Sequence, residues 1–317
     1  MTVLVVIEHD RGSLSPASLE ALAAARTIDP VVHALTLGAA ADGFAAELAA
    51  HGAAVVHQVH HDLLVDFGPE AWGETVAHAV RSLQPECVLA CGTDRGNEVM
   101  AQAAARLDLP FVANVLAVET GETWSITRVR WGGSLLEACT LSAATKLLTV
   151  SHHAFEASEC SAAGATSTLA VELDPSLART IVAERVERAA GVTLATAPLV
   201  VGGGRAVGSA EAFAPLEELA ALLGGVVGCS RAVTNNGWRN HTDQVGQTGT
   251  RIAPDLYMAC GISGAIQHWV GAMASKKILA INTDPEANMV TKADYAVIGD
   301  LHKVVPAITA EIQRRRG

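Results

Sequence analysis

The stretch VGQTGTRIAPDLYMACGISGAIQHW, residues 245–269, decides how the chain folds. Leu256–Ile262 is an apolar run of strand length between two loops of a different kind. Gly246-Gln247-Thr248-Gly249 precedes it, and Ser263-Gly264-Ala265-Ile266-Gln267-His268 follows. Both loops are small, polar and, His268 apart, uncharged. A short apolar run bounded by glycine reads as a buried strand. In open parallel sheets, ligands bind beyond the carboxyl ends of the strands. Hydrogen-bonding groups gathered at such an end therefore raise the question of a ligand.

The rest of the second half repeats the pattern. Leu199-Val200-Val201 leads into Gly202-Gly203-Gly204-Arg205, and Val226–Cys229 into Ser230-Arg231. Lys277–Asn282 runs into Thr283-Asp284, and Tyr295–Ile298 is followed shortly by Asp300-Leu301. Helical patterns cover Glu211–Leu223, the segment from Ala265, and Val304–Gln313. Strand bodies carry almost no polar chemistry; their ends carry nearly all of it. Each feature has a bland reading. A triple glycine is often a tight turn, Ser263-Gly264 a helix N-cap, Asn282 and Asp284-Pro285 a turn, and His268 a structural histidine. Their coincidence at one sheet edge suggests a large ligand with phosphates, a polar tail and a ring system.

The first half alternates in the same way. Strand patterns at Val3–Ile7, Val31–Thr36, Val55–Val59 and Cys87–Ala90 are interleaved with helical patterns at Pro16–Ala25, Phe44–His51, Trp72–Ser82 and Glu98–Leu107. Ser15 is the expected N-cap of the first helix, with Pro16 at its first position. Trp124–Arg130 starts a strand–turn–strand unit around Gly132-Gly133, and Leu147–Ser151 is a further strand. Residues 156–191 read as a connector with one β-like piece at Thr180–Val186. The expectation is an α/β protein of two doubly wound domains with mainly parallel sheets: 1–190, and a Rossmann-like 191–317.

Composition narrows the function classes. Half of the 317 residues are hydrophobic and 17% are charged, which supports large cores and excludes disorder. The net charge of −11 sits entirely in residues 1–195, whose 11 basic and 23 acidic residues give −12, against +1 for residues 196–317. An acidic half disfavours nucleic acid. No apolar run reaches the roughly 18–20 residues that span a bilayer, and no signal segment is recognisable, so a cytoplasmic protein without membrane insertion is expected. Six cysteines without a CxxC pair read as buried thiols, and no metal site is expected. The second-half constellation holds no nucleophile–base pair and no carboxylate dyad. Its donors and cations, Arg231, Thr248, Gln267 and His268, suit a delocalised anion, and a reduced flavin is such an anion.

Together, Gly203-Gly204-Arg205, Ser230-Arg231-Ala232, QVGQTG (244–249), LYMACGISGAIQH (256–268), INTDPEA (281–287) and ADYAVIGDLHKVVP (293–306) closely resemble the α subunit of electron transfer flavoprotein. VLVVIEHDRGSLSPASLEALAAAR (3–26) and RVRWGG (128–133) extend the resemblance through the first half, where it is looser. The resemblance implies an αβ heterodimer holding one FAD on the second domain of this chain. It implies that Arg231 lies over the isoalloxazine, Thr248 donates to N5, and His268 stands at the O2/N1 end and stabilises the anionic semiquinone. Ser263, Gly264, Ala265, Ile266 and Gln267 would line the ribityl and pyrophosphate. Arg205, Ser230, Asn282, Asp300 and Leu301 would hold the adenosine diphosphate part, and Val245, Gly246 and Gln247 would complete the flavin pocket. It further implies that the strands Val3–Ile7 and Cys87–Ala90 pack beside the β subunit. Electrons would pass singly from a flavin dehydrogenase to a quinone oxidoreductase or iron–sulfur acceptor.

Thr250, Thr283, Asn288-Met289-Val290, Asn235-Asn236-Gly237 and Trp131 depart from the commoner family pattern, without removing a named flavin contact. They bear on partner specificity and redox potential. Three alternatives stay open. One is an adenine-nucleotide-binding regulatory module on the same sheet edge. Another is an electron-bifurcating complex with a second FAD on the β subunit. The third, an NAD(P) enzyme, fits poorly, because Gly202–Gly208 lacks the GxGxxG spacing.

Overall fold

The computed structural model describes residues 2–133, 135–184 and 192–316. The chain divides into two compact units, Met1–Glu187 and Arg188–Gly317.

In the first unit the elements run β1 (Val3–Val6), a hairpin of β2 (His9–Asp10) and β3 (Ser13–Leu14), α1 (Pro16–Ile28), β4 (Val32–Leu37), α2 (Ala45–Ala50), β5 (Ala53–Val59), α3 (Pro69–Leu83), β6 (Cys87–Cys91), α4 (Asp94–Leu107), β7 (Phe111–Glu119), β8 (Trp124–Arg130), β9 (Leu135–Leu141), β10 (Lys146–Val150) and β11 (Ala165–Thr168). The main sheet has the order β11-β5-β4-β1-β6-β10-β7-β8-β9. It is parallel except at β7–β8 and β8–β9, which pair antiparallel. Pro16 opens α1 as expected, but the Ser15 side chain makes no capping bond.

β1 and β6 are wholly apolar and buried because helices cover both faces of the sheet. On one face Val3, Val5, Leu89 and Cys91 join the side packed with α1. On the other Leu4, Val6, Val88 and Ala90 meet Trp72, Val76 and Met100. A partner subunit therefore cannot pack directly beside these two strands, contrary to what the resemblance implied. The β-like piece expected at Thr180–Val186 is absent over its described part, 180–184; the remainder lies outside the described residues. The connector instead places its strand at β11, which pairs with β5.

The second unit runs β12 (Leu199–Gly203), α5 (Ala214–Leu222), β13 (Val226–Cys229), α6 (Arg231–Asn235), β14 (Leu256–Cys260), α7 (Ile266–Ala272), β15 (Ile278–Asn282), α8 (Asn288–Lys292), β16 (Tyr295–Ile298) and α9 (Leu301–Arg316). Its sheet is parallel throughout, in the order β13-β12-β14-β15-β16. Alternation along β14 sends Met258 and Cys260 to the core beneath α5 and α9, and Tyr257 and Ala259 to the opposite core, which holds Ala272 of α7 and Met289 of α8. This is the doubly wound arrangement. The apolar run between the two glycine-bearing loops is its central strand.

Candidate functional site

The strand order of the second unit reverses between β12 and β14, and a crevice opens where the two connections part. Close approach of backbones explains the glycines there. A Cβ on Gly204 would stand 2.0 Å from the Gly261 carbonyl oxygen, and the Gly204 amide donates to Cys260 O at 2.8 Å. The other two members of the triple glycine do something else. Both lie inside β12, where a Cβ on Gly202 would meet the Tyr257 hydroxyl at 2.3 Å and one on Gly203 the Phe213 ring at 2.3 Å. The run is a packing feature of the strand with one crevice glycine at its end.

A cleft of about 610 Å³ lies at this edge. It brings together Arg205, Ser230, Arg231, Ser263, Gly264, Ala265, Gln267, His268 and Asn282, from four separate stretches of sequence. Among the described residues, neither Arg205 nor Arg231 is paired with a carboxylate, so the cleft presents two uncommitted guanidinium groups. Asn282 is held by its amide, which donates to Ile262 O at 3.1 Å, and its oxygen accepts from the Asp284 amide at 3.1 Å. Ser263 is not the N-cap. Ala265 occupies that position, and no side chain caps the amides of α7. Gly264 is required both by its φ of +77° and by Met289 N, 2.4 Å from where a Cβ would stand.

The expected flavin loop folds back onto α7. Gln247 N donates to Gln267 O at 2.7 Å, and Gly271 lies so close to Gly246 that a Cβ would approach its Cα to 2.3 Å. Val245 N donates to Cys229 O at 2.9 Å, anchoring the loop to β13. Gln244, only 2% exposed, organises the loop from within. Its Nε2 donates to Thr248 Oγ1 at 2.9 Å, and its Oε1 accepts from Thr234 Oγ1 at 2.8 Å. Thr248 thus accepts from the protein, which leaves its own hydroxyl hydrogen to donate elsewhere. Val245, Gly246, Gln247, Thr248 and Ile266 flank the cleft without lining it. Asp300 caps α9, its Oδ1 accepting from His302 N at 3.0 Å, and Leu301 is buried against Gly261.

His268 is 7% exposed. Its Nε2 lies 2.8 Å from the hydroxyl of Tyr257, while Nδ1 is buried without a hydrogen-bond partner. Burial pushes the imidazole pKa down from 6.5 to about 4; the Val245 backbone opposes this more weakly, from beyond hydrogen-bond geometry with Nδ1. Without a ligand His268 is therefore neutral, where the resemblance implied a stabiliser of negative charge. Tyr257 and Gln244 were given no site role from sequence, although both stand inside the quoted motifs.

The four cysteines of the sheets, Cys87, Cys91, Cys229 and Cys260, are buried, and burial raises all their thiol pKa values, those of Cys229 and Cys260 to about 12. They are inert as nucleophiles. Among the described residues, Glu20, His152 and His153 of the first unit have metal-ligand proximity. Hydrogen bonding accounts for much of it: Glu20 accepts from His153 N at 2.7 Å and lies 3.1 Å from its Nδ1.

Two family models match the chain: an electron transfer flavoprotein domain over residues 3–176, and an electron transfer flavoprotein FAD-binding domain over residues 193–273. Among curated relatives, electron transfer flavoprotein subunit alpha of Bacillus subtilis is 35% identical, over 98% of this chain and 97% of its own. The subunits alpha of Mycobacterium tuberculosis and Bradyrhizobium diazoefficiens are both 37% identical, over 99% and 98% of each chain respectively. Taken with a doubly wound second unit whose cleft opens at its strand reversal, these matches show that the chain belongs to the electron transfer flavoprotein α-subunit family and carries its FAD-binding domain.

Proposed function

We propose that the cleft between β12 and β14 holds FAD, and that the chain works with a β subunit as a one-electron carrier in the cytoplasm. It would take electrons from a flavin-dependent dehydrogenase and give them to a quinone-linked or iron–sulfur acceptor. The observation that carries this reading is the pair of guanidinium groups, Arg205 and Arg231, without a carboxylate partner among the described residues, in a cleft whose remaining polar groups are hydroxyls, amides, a neutral imidazole and the single carboxylate of Asp284. Bound FAD supplies the redox chemistry; the protein supplies position and charge.

In this reading Arg205, Ser230 and Asn282 hold the adenosine diphosphate portion. Asp300 and Leu301 support it from the start of α9. The uncapped amides of α7 and residues Ser263–Gln267 follow the pyrophosphate and ribityl chain. Val245, Gly246 and Gln247 shape the flavin end. Thr248 donates its free hydroxyl hydrogen, Arg231 places positive charge by the ring, and His268 answers negative charge gained there. Hydrogen bonds to a charged partner contribute about 1.5–3 kcal/mol each.

Among the described residues, no helix is long and apolar enough to cross a membrane. Co-purification with the β subunit tests the reading. The expected result is a yellow heterodimer with one flavin on this chain that accepts and releases electrons singly during stepwise reduction. A colourless heterodimer that binds adenine nucleotide would contradict it.

A further inference from the structure

Tyr257 is the largest fully buried side chain of the second unit and carries one hydroxyl. Burial of that hydroxyl without a partner would cost roughly 1–3 kcal/mol. Its partner is on another element: His268 Nε2, 2.8 Å away and eleven residues along the chain. The path between them is built into the sheet. Tyr257 pairs with Val200 in the β12–β14 register, and Gly202 lies two residues further along β12, on the same face. The Tyr257 ring leans over Gly202 toward the carboxyl edge; its Cε2, Cζ and hydroxyl lie 2.3–2.8 Å from where a Gly202 Cβ would be. Any side chain at position 202 would push the hydroxyl off His268. The glycine that looked like part of a phosphate turn is the gap through which a tyrosine reaches the site.

The pair has a defined polarity. Were Nε2 protonated in the neutral ring, it would donate to Tyr257, and the phenol hydrogen would be left with no acceptor among the described residues. With the phenol donating to Nε2, the imidazole hydrogen sits on Nδ1, on the side of the Val245 backbone. The Val245 backbone favours a proton on the ring and so supports the Nδ1 hydrogen of the second arrangement, whereas the phenol hydrogen of the first meets no acceptor among the described residues.

We propose that Tyr257 is a positioning residue for His268: its hydroxyl, reaching across Gly202, fixes the orientation and the Nδ1-protonated tautomer of the imidazole at the cleft. The ring's orientation at the cleft, and with it the response to negative charge there, thereby depends on the phenol. A phenylalanine would fill the same space and fix neither.

The part of this inference that concerns redox tuning rests on the FAD reading; the tautomer does not. The first measurement is therefore nitrogen-15 NMR of histidine-labelled full-length chain without flavin. It should show His268 as a single tautomer protonated at Nδ1, and a mixture in Tyr257→Phe. An Nε2-protonated or mixed ring in the unsubstituted chain, or an unchanged ring in Tyr257→Phe, overturns the proposal whether or not flavin binds. The second measurement is a double-mutant cycle on the flavin's first midpoint potential in the heterodimer. Loss of one hydrogen bond predicts a roughly threefold to tenfold weaker first reduction in Tyr257→Phe, a drop of about 30–60 mV at 59 mV per tenfold. In a His268→Ala background the same substitution should have no effect. An equal drop in both backgrounds assigns Tyr257 a merely structural role. A heterodimer that binds no flavin defeats the functional reading alone and leaves the tautomer result standing.

Discussion

At the reversal of strand order in the first unit, β1 and β6 end on Val6-Ile7-Glu8 and Cys91-Gly92-Thr93. In the second, β12 and β14 end on Gly203-Gly204 and Gly261-Ile262-Ser263. Both sheets are mainly parallel, and both have helices on each face. The crevice of the first unit has shrunk to about 10 Å³, bounded by Glu8, Phe67, Trp72, Cys91 and Arg95. That of the second measures about 610 Å³. In the first, the Glu8 carboxylate accepts from Thr93 at the N-terminus of α4, where a ligand's anion would otherwise sit. The fold provides a crevice twice. The side chains at the strand ends decide that one is filled by the protein and the other is left for a ligand.

The largest expected effect is that of Gly204→Ala. Its Cβ meets the Gly261 carbonyl at 2.0 Å and Ile262 Cα at 2.9 Å, both backbone, so β12 and β14 must part at the mouth of the cleft. Overpacking of this kind costs about 1–3 kcal/mol, and bound flavin should be lost outright. Flavin retained at full occupancy in Gly204→Ala would mean that the cleft tolerates what its geometry forbids.

A smaller effect separates the two units by pH. His268 has a folded pKa of about 4 against 6.5 when exposed. Between those values the unfolded chain binds the proton and the folded chain does not. Stability contributed by the neutral ring is therefore present above about pH 6.5 and lost as pH falls toward 4, by up to ~3 kcal/mol. Denaturant titrations of the flavin-free chain should show this slope, and His268→Gln should flatten it for the second unit alone. An unchanged slope in that variant would contradict the burial of the ring.

Glu8 should give the smallest effect, with the opposite sign. Burial raises its carboxyl pKa above 4.5, more than the Thr93 hydrogen bond and Arg95 lower it. The unfolded chain then loses its proton first, so stability falls as pH rises from about 4.5 through the raised value. Glu8→Gln keeps an acceptor for Thr93 and removes this penalty. Its melting temperature should exceed that of the parent increasingly toward neutral pH. A constant difference across pH would show that Glu8 is not a buried acid.

The second unit was more legible in sequence than the first because its signals are local. Leu256–Cys260 is apolar between glycine-rich loops, and every expected strand of that half is found. The first unit's mixed edge was harder. Phe111–Glu119 drew no strand expectation, since β7 is mostly half-buried or exposed and lacks a continuous apolar run. β11, ATST, is exposed throughout and is a strand only because β5 offers it an edge. Thr180-Ile181-Val182 has the residue types of a strand and pairs with no strand among the described residues. In the site, the residue types were readable and the partnerships were not. Gly202 and Gly203 looked like a phosphate turn because their reason for being glycine lies in Tyr257 and Phe213, far away in sequence. The pairing of Gln244 with Thr248 and of Tyr257 with His268 likewise exists only once β12, β14 and α7 are assembled.

The central claim is that the open crevice of the second unit, and not the closed one of the first, is the flavin site. The most direct test is the flavin content of the purified heterodimer with a tryptophan placed in the open cleft. Ser263→Trp fills that cleft from an exposed position and disturbs no described hydrogen bond of the serine side chain. Colourless, folded protein from Ser263→Trp, with full flavin in Glu8→Gln, is the predicted result. Flavin retained in Ser263→Trp would contradict the account and send the search for the cofactor elsewhere in the complex.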